Sequence, residues 1–104
     1  MSWRNAVDVG DLADGEPVRV RIKETDIALV RLGPRVFGIS NICTHALAYL
    51  SDGYVDTDDA SIECPLHQAR FDLETGRRLS GPRCDGLQVF PVKVEDGTVY
   101  VEVD

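Results

Sequence analysis

The sequence predicts an all-β domain of antiparallel strands with a turn-rich insertion. Three observations predict this fold: short apolar runs separated by Gly, Pro and Asp turns, alternation of apolar residues near the C-terminus, and a change of character between residues 41 and 83. The chain has 104 residues, of which 43% are hydrophobic, and this size fits one domain. We therefore expect a single domain over residues 1–104, with a subdomain at about residues 41–83.

The first half of the chain predicts three strands. Residues 18–22 alternate apolar and charged side chains, which is typical of a half-buried strand. Residues 27–32 form an almost continuous apolar run, and residues 36–39 follow after the turn signal Gly33-Pro34. The last two segments therefore predict a hairpin.

A second hairpin is predicted near the C-terminus. Residues 87–94 and 98–103 flank a turn at residues 95–97, and Val99, Val101 and Val103 alternate with more polar side chains. Between the two hairpins, residues 41–83 are rich in turn signals, and residues 46–50 fit no more than one helical turn. Loops displayed on a β framework are where function usually lies.

Charge and cysteine content narrow the function. The chain has 18 acidic and 11 basic residues and a formal charge of -7, which argues against binding nucleic acid or anionic membranes. It has no apolar run of the ~20 residues needed to span a bilayer, and its N-terminus lacks a secretory signal, so we expect a cytoplasmic protein. Three cysteines argue against a disulfide framework and favour metal binding or catalysis.

Two short motifs carry the chemistry. Cys43 and His45 form a C-x-H motif, and Cys64 and His67 form a C-x2-H motif that includes Pro65. In an extended segment, residues two apart point to the same side, and proline restricts the second loop. Two such loops can hold a metal centre between them. A structural zinc site is the main alternative, although zinc motifs usually keep like ligands together whereas each motif here mixes Cys with His.

The paired motifs, their separation and residues 68–76 resemble the Rieske family. Residues 43–76 are similar to the ferredoxin components of bacterial aromatic-ring-hydroxylating dioxygenase systems, and residues 50–54 and 90–94 add to the likeness. The resemblance implies a Rieske-type β-sandwich or barrel of antiparallel strands with a loop-rich cluster-binding subdomain. It also implies one Rieske-type 2Fe-2S cluster, with Cys43 and Cys64 on one iron and His45 and His67 on the outer iron.

The function implied by this resemblance is electron transfer. The two histidines are both assigned to the cluster, so none remains for the 2-His-1-carboxylate iron of an oxygenase. We expect a non-enzymatic carrier that passes single electrons from an NAD(P)H-dependent, flavin-containing ferredoxin reductase to a terminal oxygenase, as a monomer without nucleic-acid or membrane partners. The alternatives are a Rieske-like small subunit of a nitrite reductase or another multicomponent oxidoreductase, and a zinc-stabilised interaction module.

The resemblance also implies a low redox potential. Respiratory Rieske proteins have a disulfide where this chain has Ala48 and Leu66, and hydroxyl donors where it has Ala69 and Phe71. Without those donors the cluster sulfurs keep more negative charge, so we predict a potential of about -150 mV, at the low end of the Rieske range. We further expect Phe71 and Leu66 to shield the cluster, and Cys84 to be a buried or half-buried thiol outside it.

Charged residues also surround the two motifs. The acidic residues between the motifs form either a solvated loop or a rim that steers a basic partner. They are Asp52, Asp56, Asp58, Asp59 and Glu63. The segment that follows is basic and complicates this interpretation, with Arg70, Arg77, Arg78 and Arg83.

Overall fold

The computed structural model describes residues 2–44, 48–66 and 68–103. These residues form eleven β-strands and two single 3-10 turns, at Val9–Asp11 and Leu50–Asp52, and contain no α-helix. The strands are β1 (Ser2–Asp8), β2 (Val18–Ile22), β3 (Thr25–Leu32), β4 (Arg35–Ser40), β5 (Tyr54–Asp56), β6 (Ser61–Glu63), β7 (Arg70–Asp72), β8 (Arg78–Ser80), β9 (Val89–Phe90), β10 (Val92–Glu95) and β11 (Thr98–Val103). The predicted all-β class is confirmed.

The strands form three antiparallel sheets. Sheet I has the order β1-β11-β10, sheet II the order β2-β3-β4-β9, and sheet III the order β5-β6-β7-β8. Strand β3 contributes to two cores: Ile27 and Leu29 pack with the valines of β11, whereas Ala28 and Val30 pack with residues of sheet III and its loops. Because both faces of β3 are covered, its sequence is a continuous apolar run rather than an alternating one. We call sheets I and II the base.

Both predicted hairpins are present in the base. Strands β3 and β4 pair with Leu32 opposite Arg35. Strands β10 and β11 pair with Glu95 opposite Thr98. Between the second pair, Asp96 and Gly97 have φ angles of 50° and 79°, and left-handed conformations at both central residues define the type I′ turn that matches the twist of paired strands.

The predicted strand over residues 87–94 is wrong in one respect, because the chain changes sheet at Pro91. Strand β9 pairs with β4 in sheet II, with Val89 opposite Ile39. Strand β10 pairs with β11 in sheet I, with Val92 opposite Val101. Proline has no backbone N–H to donate to a ladder, so the strand divides at this residue.

The turn-rich segment 41–83 contains the four strands of sheet III, which the sequence analysis did not predict. Each of these strands has three residues, too few to display an alternating pattern. The helical turn expected at residues 46–50 lies partly outside the described residues, and the 3-10 turn begins at Leu50. None of the helical segments in the described ranges is long and apolar enough to cross a membrane.

Candidate metal centre

Cys43 begins a six-residue loop, residues 43–48, which we call loop 1. Its backbone N–H donates a hydrogen bond to the carbonyl oxygen of Ala48 at 3.0 Å. The residues on either side, Ile42 and Tyr49, face each other in an isolated antiparallel bridge. The two ends of loop 1 are therefore held together beside this bridge.

Cys64 begins a loop of the same length, residues 64–69, which we call loop 2. Its backbone N–H donates to the carbonyl oxygen of Ala69 at 2.8 Å, and the flanking residues Glu63 and Arg70 are paired in the β6–β7 ladder. Gln68 has a φ of 61° and donates its backbone N–H to the Cys64 carbonyl at 3.1 Å. Each C-x-H or C-x2-H motif thus begins a loop that is closed in the same way.

A third segment, residues 81–87, contacts both loops, and we call it the strap. The Thr44 hydroxyl of loop 1 donates to the carbonyl oxygen of Asp85 at 2.6 Å. Gly81 has a φ of 90°, and a Cβ at this position would lie 2.7 Å from the Cα of Ala69 in loop 2. Glycine is therefore required at residue 81 by both its conformation and this close approach.

The two cysteine thiols that begin the loops lie in one apolar core. Cys43 and Cys64 are 4% and 0% exposed and belong to the same cluster of buried side chains. Cys84 is half-buried and packs against that cluster from the strap. A thiolate in an apolar core is stabilised by a metal ion, so the burial of both motif cysteines fits an iron-sulfur centre. His45 and His67 lie outside the described residues.

Three residues at or beside loop 2 carry expectations from the sequence: Ala69, Phe71 and Leu66. Ala69 and Phe71 are completely buried, and neither side chain has a hydroxyl that donates to a sulfur atom. Leu66 is 55% exposed, and its expected role in shielding the cluster stays a prediction. The exposed leucine leaves an apolar side chain at the surface of loop 2, between Cys64 and His67 in the sequence.

The five acidic residues between the motifs, which we call the acidic rim, are partly neutralised. Arg70 pairs with Asp59 and lies 3.7 Å from the nearest carboxylate oxygen of Asp56. A hydrogen bond from Ser61, followed by one from Arg70, lowers the pKa of Asp59 below its usual value. These charges therefore pair Arg70 of β7 with the end of β5 and the turn that follows it.

Sequence reasoning missed two polar residues that organise loop 1, Asn41 and Thr44. Asn41 is completely buried directly before the C-x-H motif, and Thr44 connects loop 1 to the strap. A polar residue in a turn-rich segment is usually a surface turn residue. The burial of Asn41 and the contact of Thr44 with the strap become visible only in the folded chain. The position of Asn41 beside the motif is the one signal that the sequence offered.

The fold and the two loops define a class of protein, the Rieske [2Fe-2S] domain, and the family model with that description matches residues 2–91. The chain belongs to this family and carries one Rieske-type 2Fe-2S cluster. The chain is 35% identical over 103 residues to the ferredoxin component of the naphthalene 1,2-dioxygenase system of Pseudomonas putida, covering 99% of this chain and 97% of that relative. It is 40% identical over 98 residues to the 3-phenylpropionate/cinnamic acid dioxygenase ferredoxin subunit of Escherichia coli (strain K12), covering 94% and 91%.

Solved structures show the same similarity. The ferredoxin of carbazole 1,9a-dioxygenase from Nocardioides aromaticivorans IC177 matches with a TM-score of 0.93 and 32% identity, over 97% of each chain. A chain in the complex of reduced oxygenase and oxidized ferredoxin in carbazole 1,9a-dioxygenase matches with a TM-score of 0.87 and 36% identity, over 95% of this chain and 91% of that one. A putative NADH-dependent nitrite reductase small subunit from Mycobacterium tuberculosis matches with a TM-score of 0.86 and 27% identity, over 99% of this chain and 96% of that one.

Proposed function

We propose that this chain is the ferredoxin component of a bacterial aromatic-ring-hydroxylating dioxygenase system. It is an electron-transfer component and not itself an enzyme. The observation that carries the proposal is the pair of buried cysteines, Cys43 and Cys64, which begin two equally closed loops in one apolar core. The similarity to dioxygenase ferredoxins over almost the whole chain supports it.

The proposed ligands of the 2Fe-2S cluster are Cys43, His45, Cys64 and His67. When bound, the cluster supplies a centre that takes up and releases one electron at a time. The chain's own residues place the two thiolates in a core lined by Phe71, which excludes water from the sulfur side. The mixture of two soft thiolates and two imidazoles is the ligand set of Rieske centres rather than of plant-type ferredoxins.

The proposed partners are a terminal oxygenase and an NAD(P)H-dependent, flavin-containing ferredoxin reductase. The complex of oxygenase and ferredoxin among the solved relatives supports the first, and the reductase follows from the kind of system to which those relatives belong. Loop 2 presents Leu66 to the surface, and the interiors of protein interfaces are depleted of charge. We propose that the tips of loops 1 and 2 contact the partners.

We infer further that residues 1–104 form one domain with a cluster-binding subdomain at about residues 41–83. Sheet III and both loops lie within that range, and the net charge of -7 supports the absence of nucleic-acid and anionic-membrane partners. The chain is proposed to act in the cytoplasm as a monomer. Its role in the catabolism of aromatic hydrocarbons follows from the proposed system.

A second candidate function is that of a nitrite reductase small subunit. The similarity to such a subunit, at 27% identity, favours it as the alternative. The two functions differ in the expected electron acceptor, which is a Rieske oxygenase in one case and the catalytic subunit of a nitrite reductase in the other. Transfer to the second acceptor and not to the first would replace the proposed function with this one.

The proposal is tested first on the metal centre. The purified chain should contain two irons and two acid-labile sulfides per chain, absorb visible light and bleach on reduction with dithionite. Cys64→Ser should abolish this spectrum, whereas the matched control Cys84→Ser should retain it, because Cys84 lies in neither loop. A colourless wild-type protein with one zinc per chain would contradict the proposal.

Electron transfer is tested next by stopped-flow spectroscopy. Chemically reduced protein is mixed under anaerobic conditions with the oxidised terminal oxygenase of the naphthalene 1,2-dioxygenase system, and in parallel with a nitrite reductase catalytic subunit. Reoxidation by the oxygenase alone supports the proposed function. The midpoint potential should be about -150 mV, and a value well above 0 mV would contradict the low-potential assignment.

A further inference from the structure

Asn41 is a completely buried polar residue that immediately precedes the bridge at the base of loop 1. Its side-chain Nδ2 donates to Oδ1 of Asp26 at 3.0 Å, and its Oδ1 accepts the backbone N–H of Ser51 at 2.7 Å. Because a backbone N–H only donates, the second bond fixes which way the amide is oriented. Both halves of the side-chain amide are therefore used.

The backbone of Asn41 makes two further hydrogen bonds to the same two segments. Its N–H donates to the carbonyl oxygen of Asp26 at 2.9 Å, and its carbonyl accepts the N–H of Leu50 at 2.8 Å. Asp26 lies in β3 of the base, whereas Leu50 and Ser51 follow the far end of loop 1. Asn41 thus attaches both ends of loop 1 to the base.

Asp26 is held in place by Arg19 of β2. The guanidinium donates from Nε to Oδ1 at 3.0 Å and from Nη2 to Oδ2 at 2.7 Å, a bidentate geometry that fixes both groups. This hydrogen bonding, together with the bond from Asn41, lowers the pKa of Asp26 in spite of its burial. The same guanidinium stacks 4.4 Å from the ring centroid of Tyr49. Arg19 therefore contacts both Asp26 and the residue that directly follows loop 1.

Loops 1 and 2 differ in how their ends are held. Loop 2 is flanked by strands β6 and β7, which pair along three residues each. Loop 1 is flanked by a single isolated bridge between Ile42 and Tyr49. Backbone pairing beside loop 1 is therefore limited to this bridge and the two hydrogen bonds next to it, which Cys43 donates to Ala48 and Leu50 donates to Asn41, and the side-chain network of Asn41 reinforces it.

We propose that Asn41, acting through Asp26, is a positioning residue that fixes loop 1 and thereby tunes the iron-sulfur centre. This inference rests on the proposed function. Groups that orient metal ligands without touching the metal change metal affinity by about ten- to a hundredfold and shift the redox potential. Asn41 stands two residues before Cys43 and four before His45, so a change in the position of the loop reaches both proposed ligands.

The test compares four variants of the holoprotein. Asn41→Ala removes the side-chain bonds, and Asn41→Asp places a second buried carboxylate against Asp26. The double variant Asn41→Asp/Asp26→Asn exchanges the amide and the carboxylate and restores a hydrogen bond between them. Asn5→Ala, at the chain's other asparagine and exposed on β1, is the matched control.

Three quantities are measured for each variant: the rate of cluster loss under a chelator, the midpoint potential, and the electron paramagnetic resonance g values of the reduced protein. Asn41→Ala should lose its cluster about tenfold faster than the wild type, equivalent to about 1.4 kcal/mol, with a changed potential and changed g values. Asn41→Asp should be more severe. The exchanged pair should return to within about threefold of the wild-type rate, and Asn5→Ala should match the wild type.

Two results would overturn the inference while the proposed function stands. The first is an Asn41→Ala variant that melts at a lower temperature but keeps the wild-type potential and g values, because the role of Asn41 would then be merely structural. The second is a double variant Asn41→Asp/Asp26→Asn that loses its cluster as fast as Asn41→Asp does. If Asn41→Ala holds no iron and its potential is not measurable, the comparison of these two variants tests the inference. A wild-type chain without iron would instead overturn the proposed function itself.

Discussion

The base and sheet III are both antiparallel, but different interactions hold them together. In the base, strands β2, β3, β4 and β11 have five to eight residues, and a core of Leu, Ile and Val side chains lies between sheets I and II. In sheet III each strand has three residues, and the core includes Cys43 and Cys64. We therefore expect sheet III to depend more strongly on the metal centre than the base does.

Removal of the cluster should produce the largest effect, and this effect should be confined to sheet III, with little change in the base. After anaerobic removal of iron, peptides that contain Ile62 and Phe71 should exchange their amide hydrogens roughly tenfold faster or more, because short strands around vacated thiolates open locally. Peptides that contain Leu29 and Val101 should change little. Hydrogen exchange with mass spectrometry measures both, and an equal loss of protection throughout would show that the two regions unfold as one unit.

A hydroxyl placed beside loop 2 should have the next largest effect. Phe71→Tyr introduces a potential donor at a completely buried position, and a hydrogen bond to a cluster sulfur favours the reduced state. We expect the midpoint potential to rise by tens of millivolts, where about 59 mV corresponds to a tenfold change for one electron. Protein-film voltammetry measures the shift.

The matched control for this change is Phe37→Tyr. Phe37 lies in the same buried cluster but in β4 of the base, so its hydroxyl should leave the potential unchanged. Equal shifts in the two variants would mean that general polarity of the core, and not a donor beside loop 2, controls the potential.

The acidic rim should have a smaller effect that depends on salt. Arg70 pairs with Asp56 and Asp59, whereas the carboxylate of Asp58 has no ion-pair partner among residues 2–44, 48–66 and 68–103. Asp58→Asn should slow electron transfer to a terminal oxygenase by a factor of about two to five at low ionic strength. The difference should disappear as the Debye length falls to about 3 Å at 1 M salt.

Stopped-flow rates over a series of salt concentrations measure this effect, with Asp8→Asn as the control because Asp8 is an exposed residue of β1 in the base. A rate that is the same for Asp58→Asn, Asp8→Asn and the wild type at every salt concentration would show that the acidic rim does not steer the partner.

The same division explains what the sequence could predict. The base hairpins follow from local pattern, since residues 27–32 and 98–103 carry apolar side chains in long enough runs to define a strand. Cys43 and Cys64 were identified because each begins a short motif that mixes Cys with His, and the resemblance to a family then assigned them to a cluster; no periodicity would have selected them. The three-residue strands of sheet III and the buried Asn41 were missed, because their stability comes from contacts between segments far apart in the chain.

The smallest effect concerns backbone strain in loop 2. Gln68 has a left-handed φ of 61°, a region that costs most residues about 1–2 kcal/mol but that glycine adopts freely. Gln68→Gly should therefore raise the stability of the holoprotein slightly, by at most about 1 kcal/mol, because the greater entropy of glycine in the unfolded chain offsets part of the gain. Gln68→Val should lower it, since a β-branched side chain is disfavoured there. Thermal melts should give the highest melting temperature for Gln68→Gly, then the wild type, then Gln68→Val. A melting temperature for Gln68→Val equal to that of the wild type would show that loop 2 relaxes away from this conformation instead of being held in it by its neighbours.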